Sequence, residues 1–356
     1  FSNRDFDAMK RLRARLLRVG DIVRDQWLRE PPSLAGGWEA LFASARAGLD
    51  LRKLDADDRH FLIQMFTLSA SDLMERWFES ETMRQIYAVH CVSSNFASLH
   101  QPGSAVPFFL NALGELEGVR YKWGIARGGM GAVTQALAAA AREHGVEIRT
   151  DAPVARILIE GGRAIGVRLE SGEEIRAKAV ATNADPKRTF LQLVGREHLD
   201  ADFVHDIEHY RMGHASVRMN LALSGTPEFA NIKGEAAATA LQSAITLLPD
   251  RATVERCYQA ARAGELAPEP YVNIQVASAL DDSLAPKGHH VMALLCKYYP
   301  YRLSGGRNWD DLKEKVPTMV ISDKGRTFNQ SLIHAIETGF LVDLADCMVE
   351  GAIART

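Results

Sequence analysis

Residues 128–134, GGMGAVT, place three glycines at the start of an alanine-rich segment, and loops of this kind can cradle a pyrophosphate. Set against the fingerprint GxGxxG, Gly129, Gly131 and Thr134 take the three glycine positions. Asp151 stands where an acid would bond a ribose hydroxyl. The chemistry would be backbone amides and a helix N-terminus facing phosphate. Two features oppose it. Thr134 replaces the glycine that lets helix and strand pack closely, and VEIRTD is followed by an antiparallel pattern instead of a crossover helix, so no βαβαβ half-domain develops. The fingerprint is rejected, and the helix N-terminus stays as a contact to a polar ligand group.

A second constellation, His205-x-x-Glu208-His209, spells the inverted zincin motif with both histidines on one helical face. A zinc protease needs a third ligand beside an open position. His214, His289 and His290 are available, but nothing in the sequence gathers them, and a solvated helix accounts for the pattern. No metal is expected. There is no GxSxG elbow for a serine nucleophile.

The elements that must position such residues change along the chain. Phe6, Met9, Leu12, Leu16, Val19 and Val23 recur at helical steps over residues 4–28, which end at Glu30-Pro31-Pro32. A second helix opens after Asp57-Asp58 and runs through HFLIQMF, whose Met65 and Phe66 suit a core or an apolar tunnel. Asp72 with Glu75, and Thr82 with Gln85, read as capping boxes of two more helices. GAVTQALAAAAREHG is a helix closed by Gly145. VEIRT then reads as a strand. PVARILIE, RAIGVRLE and EIRAKAVATNA form a three-stranded antiparallel meander with turns at Gly161-Gly162 and Ser171-Gly172. Its last strand extends through AVATNA to Asp185-Pro186, an N-cap and first helical residue. Residues 186–211 read as helical. ASVRMNLAL, YVNIQVASA and HHVMALLCKYY are three strands of a second sheet, antiparallel or mixed, and WDDLKEKVPTMVI (309–321) restarts a helix.

The 356 residues, 47% hydrophobic, can bury a large core and suit two domains. With 42 basic and 45 acidic residues the net charge is -3, which gives no electrostatic footprint for nucleic acid. The four cysteines form no CxxC pair, which fits a reducing, cytoplasmic compartment. No apolar run reaches the roughly 18 residues of a membrane span. Arg11, Arg13, Arg15 and Arg18 allow peripheral contact with an anionic membrane, although a solvated face explains them better. A start at Phe1 and an end at GAIART read as an internal piece of a longer protein.

The order GGMG, helix, VEI, meander, NADP resembles the middle of the phytoene dehydrogenase-like flavoproteins of the amine oxidase superfamily. Within that group it is most like the branch of the pyridine nucleotide-disulfide oxidoreductase domain-containing protein 2. ERWFES (75–80), NFASLHQPGSA (95–105), GELEGVRYKWGIARGGMGAVTQAL (114–137), TNADPKRTFLQLV (182–194), YRMGHASVRMNLAL (210–223) and SLAPKGHHVM (283–292) follow the family's order. From 317 to 350 the likeness loosens, and VISDKGR is shortened.

The resemblance implies an α/β (α+β) fold, with part of a discontinuous, Rossmann-like FAD-binding domain and a substrate domain of sheet and helices. It divides the chain into a helical substrate or cap region (1–123), the middle segment of the FAD domain (124–195), the substrate domain (196–325) and the start of a return to the FAD domain (326–356). The GxGxxG that binds the FAD pyrophosphate would precede Phe1, and the glycine-rich segment closing over the flavin would follow Thr356. By the same resemblance, Gly128, Gly129 and Met130 form the loop where the chain re-enters the FAD domain, Val154 passes the adenosine end, and Asn183 and Ala184 lie near the cofactor. Asn183 reads equally as a turn residue. Tyr121, Trp123, Met130 and Met219 would line an apolar substrate. The implied activity is an FAD-dependent oxidoreductase of the desaturase or dehydrogenase kind, in which flavin takes a hydride equivalent. The alternative is a non-catalytic binding or scaffold protein on the same fold.

Overall fold

The computed structural model of the chain describes residues 2–27, 29, 37–92, 95–109, 113–116, 118–120, 124–212, 214–228, 233–247, 249–267, 269, 271–312 and 348–350. They form two compact units. One runs from the N-terminus to Met130 and resumes at His214; the other is Gly131–Gly213.

The first unit opens with helices α1 (Asn3–Trp27), α2 (Gly37–Leu51), α3 (Ala56–Thr67), α4 (Ala70–Trp77) and α5 (Glu81–Val92). The three- and four-residue spacing of Leu12, Leu16, Val19 and Val23 gives α1 one apolar stripe, and all four are buried. They share a core with Phe61, Met65, Leu73, Met74 and Val89, so Met65 is core, while Phe66 stays half exposed. The capping boxes differ from the sequence reading. Ser69 caps α4, its Oγ accepting the Asp72 amide and donating to the Asp72 carboxylate. Helix α5 starts at Glu81, with Ser80 Oγ accepting the Met83 amide, ahead of the expected Thr82.

Asp58 pins α3 to α1. Its carboxylate accepts Arg18 Nε at 2.7 Å and Nη2 at 2.9 Å, and Arg15 Nε lies 3.0 Å away. The hydrogen bond from Arg18 holds the Asp58 carboxyl below its ordinary range against the opposing effect of burial. A depressed carboxyl stabilises the fold fully above the unfolded-chain pKa of about 3.9, and the contribution fades as pH falls through the lower folded value. Thermal unfolding should therefore change little from about pH 7 to 5 and weaken below about 4. Asp58→Asn should cost about 2 kcal/mol at neutral pH and flatten part of that acid loss; an unchanged acid profile in the variant would contradict the assignment.

The same unit holds a sheet in the order β10–β6–β9–β8–β7, formed by β6 (His214–Leu223), β7 (Ile245–Leu247), β8 (Val272–Gln275), β9 (His290–Pro300) and β10 (Met348–Glu350). Every pairing is antiparallel. Val217, Met219, Leu221, Ile274, Leu294 and Cys296 form a second core on it. A short hairpin, β1 (Glu115–Leu116) with β2 (Val119–Arg120), also belongs here. The helix expected over 309–321 lies outside the described residues from 313 on, and residues 309–312 are a turn.

In the second unit, α6 (Gly129–Glu143) crosses from the first and closes as expected. The Gly145 amide bonds Arg142 O and the Val146 amide bonds Ala141 O, satisfying the last carbonyls. The meander β3 (Val154–Glu160), β4 (Arg163–Leu169), β5 (Glu174–Arg176) is antiparallel throughout. Two expected strands do not form. Residues 146–150 and 177–184 have no strand structure: the Val146 amide bonds Ala141 O and the Ala177 amide bonds Ile165 O, but neither stretch joins a ladder among the described residues. A π-helix (Lys187–Gly195) and α7 (Ala201–His209) complete the unit, and Asp185 Oδ1 accepts the Arg188 amide as a cap. Two further helices of the first unit are α8 (Gly234–Leu241) and α9 (Arg251–Arg262). Among the described residues, no helix is long and apolar enough to cross a membrane.

Candidate functional site

The glycine loop is a tight turn with both amides engaged. Gly128 and Gly129 have φ of 83° and 77°, the left-handed region that favours glycine. The Gly129 amide bonds Ala126 O at 2.9 Å, and the Gly128 amide donates to Asp281 Oδ2 at 2.6 Å. With both N–H groups engaged, neither of these two glycine amides is left to face a phosphate. Met130 projects outward at 74% exposure, and a Cβ on Gly129 would touch Leu284 at 3.4 Å.

Asp281 is the partner that sequence reasoning missed. It is 6% exposed. Its Oδ1 accepts Ser283 Oγ at 2.6 Å and Ser283 N at 3.0 Å. These bonds, Ser283 first and the Gly128 amide next, hold its carboxyl below the ordinary range. The available signal was Asp281-x-Ser283, the pattern of a side-chain-closed turn; its link to Gly128 has no sequence signature.

In the second unit Val154 opens β3, half-buried and paired with Leu169. Beside it lies an open concavity of about 340 Å³ lined by Arg149, Asp151, Pro153, Leu169 and Ser171 among others. Asp151 has φ of 53°, unusual outside glycine and costly unless its surroundings impose it. Arg149 crosses the rim, bonding Glu147 at 2.6 Å and Glu173 at 2.8 Å. Asn183 is exposed, the Ala184 amide bonds Thr182 Oγ1, and the Ala184 carbonyl accepts Thr189 Oγ1.

The candidate residues therefore fall in both units: Gly128, Gly129 and Met130 in the first, Val154, Asn183 and Ala184 in the second. Tyr121 and Trp123 lie outside the described residues. Met219 is wholly buried in the sheet core. His205 and His209 stack at 4.1 Å, and Glu208 pairs with Arg196.

No residue of α6 is buried. Val133 and Leu137, with Met130 one helical step before them, form an exposed apolar stripe, and Val146 and Ile148 are exposed beyond the helix.

A family model described as flavin containing amine oxidoreductase matches residues 3–215. A second, described as fumarate reductase flavoprotein C-term, matches residues 304–356. Pyridine nucleotide-disulfide oxidoreductase domain-containing protein 2 of Rattus norvegicus is 34% identical over 256 residues, 70% of this chain and 44% of that protein. The zeta-carotene-forming phytoene desaturase of Myxococcus xanthus is 56% identical over 68 residues, 19% of this chain and 13% of that protein. Among solved structures, an oxidoreductase from Methanosarcina mazei aligns with a TM-score of 0.49 at 18% identity, over 75% of this chain and 56% of the other. The chain spans 44% of the length of the rat relative and of its mouse counterpart.

Proposed function

Because this chain belongs to the flavin containing amine oxidoreductase family, we propose that it serves an FAD-dependent oxidoreductase that dehydrogenates or desaturates an apolar substrate. The observation that carries the reading is the meander. It follows α6 where a dinucleotide half-domain would place a second crossover, and residues 3–215, which include it, match the family. The desaturase likeness on the Myxococcus side supports a substrate rich in carbon–carbon bonds.

The residues present fit part of such a group. The concavity beside Val154 has a polar rim in Arg149, Asp151 and Ser171 and an apolar wall in Pro153 and Leu169, which suits a hydroxyl-bearing, ring-containing end of FAD. Asn183 and Ala184 would sit near the cofactor, and the Gly128–Met130 loop would approach it through backbone atoms and the Met130 side chain. The exposed stripe of α6 and residues 146–150 and 177–184, which form no strand, are surfaces that a dinucleotide-binding sheet would cover. FAD, when bound, supplies the hydride acceptor. The protein's part is to orient the substrate and exclude water.

The test is direct. The purified full-length protein should be yellow, and heat denaturation should release flavin fluorescence at about one equivalent per chain. A colourless protein that takes up no FAD on reconstitution would favour the non-catalytic reading and remove the enzyme.

A further inference from the structure

The Asp281 carboxylate joins the turn at 281–284 to the glycine loop across 153 residues of sequence. Four features make this more than a surface contact. Asp281 is almost wholly buried, while the adjacent Asp282 is exposed and pairs with Arg127 at 3.3 Å. The two carboxylate oxygens divide their work: Oδ1 closes the Ser283 turn, and Oδ2 takes the Gly128 amide. Leu284, from the same turn, lies against Gly129. Finally, Gly128 and Gly129 both hold left-handed φ, 83° and 77°, a conformation that glycine reaches freely and that the bond to Asp281 helps to fix.

We propose that Asp281 is a positioning residue for the Gly128–Gly129–Met130 loop, acting through the Gly128 amide without touching substrate or cofactor. Loss of the carboxylate takes away the acceptor that ties the Gly128 amide, in a pair of adjacent glycines, to the buried side of the turn at 281–284, and the loop opens locally. The part of the proposal that concerns the cofactor rests on the flavin reading above; the loop clamp does not.

Trypsin cleavage after Arg127 reports the opening, since that side chain is already exposed, its pairing with Asp282 is a solvent-exposed one, and the bond to Asp281 holds the backbone beside it. In purified protein, Asp281→Ala should be cut there on the order of 10- to 100-fold faster than the parent, the range expected for losing a hydrogen bond to a charged group. Asp281→Asn keeps one acceptor oxygen and should fall between. Ser283→Ala leaves the Gly128 bond in place and should be cut at nearly the parent rate. A folded Asp281→Ala protein cut at the parent rate would overturn the clamp, as would Ser283→Ala cut as fast as Asp281→Ala. Should Asp281→Ala not fold, Asp281→Asn decides by the same comparison with Ser283→Ala.

Flavin content and the visible flavin band are read on the same samples. A drop in content or a shifted band in Asp281→Ala, recovered in Asp281→Asn, supports the positioning role; a freed loop with content and band unchanged refutes it. A parent protein without flavin defeats the cofactor reading alone and leaves the clamp to the proteolysis result, so the two failures are told apart.

Discussion

Gly166→Val is expected to destroy the meander, at a cost of about 4 kcal/mol or more, while Gly162→Ala in the adjacent turn costs only about 1 to 2 kcal/mol. Both glycines have positive φ, 151° and 76°, so both substitutions meet backbone strain. Space separates them. A Cβ at Gly162 meets nothing within 4 Å, whereas at Gly166 it would sit 2.2 Å from the Ile175 carbonyl oxygen and 2.9 Å from Arg176 Cα. Those atoms are backbone of β5, registered opposite this part of β4 with Gly166 facing Arg176. They cannot yield without separating the two strands. Leu158 faces Gly166 from the other side, so the centre strand is held on both edges. Under the flavin reading the variant also loses bound cofactor, because β3 and Val154 depend on β4. Urea unfolding followed by circular dichroism measures the stability, and released flavin measures the second effect. A Gly166→Val protein as stable as Gly162→Ala would show that the meander does not pack as described.

The meander was legible because alternation and turn residues agree. Ile157, Ile159, Ile165 and Val167 repeat at two-residue steps between Gly161-Gly162 and Ser171-Gly172, and each level of sequence signal points to the same pairing. Helix α1 was legible for a similar reason. The start of α4 was not, because SASDLMERW offers two overlapping boxes, Ser69 to Asp72 and Asp72 to Glu75. Tertiary contacts decide between them: the Ala70 amide bonds Ser104 Oγ and the Ser71 amide bonds Leu99 O, which fixes the first turn at Ala70. VEIRT and AVATNA carry strand propensity, but propensity cannot supply a neighbour. The site was legible mainly as a resemblance. Val154 and the Gly128–Met130 loop are candidates only through that resemblance, whereas the surroundings of Asp281, Asp151 and Arg149 arise from contacts that no local pattern encodes.

Tyr298 shows the same limit and carries the other large effect. Alternation along β9 would put it on the face of Met292, Leu294 and Cys296. Instead Tyr299 joins them in the sheet core, and Tyr298 enters the core shared with the N-terminal helices. The cause is a bulge. Ala215 faces Tyr299 and Val217 faces Cys296, so Lys297 and Tyr298 together oppose Ser216 alone. The extra residue is accommodated by a left-handed Tyr298, φ 61°, a conformation that costs of order 1 to 3 kcal/mol for a residue with a side chain. Burial offsets that cost. The ring packs against Tyr258 with centroids 6.0 Å apart and against Phe96 at 6.3 Å, and its hydroxyl donates to Ala97 O at 3.0 Å. Tyr298→Ala keeps the strained backbone and empties the site, so a loss of about 4 kcal/mol is expected. Tyr298→Phe removes only the hydroxyl donor, for about 1 kcal/mol. Tyr298→Gly should lie above Tyr298→Ala by about 1 kcal/mol, since glycine tolerates the left-handed backbone that alanine resists. That order, phenylalanine above glycine above alanine in chemical denaturation, is particular to a bulged tyrosine. In a regular strand alanine would exceed glycine, and finding alanine the more stable of the two would remove the bulge from the fold.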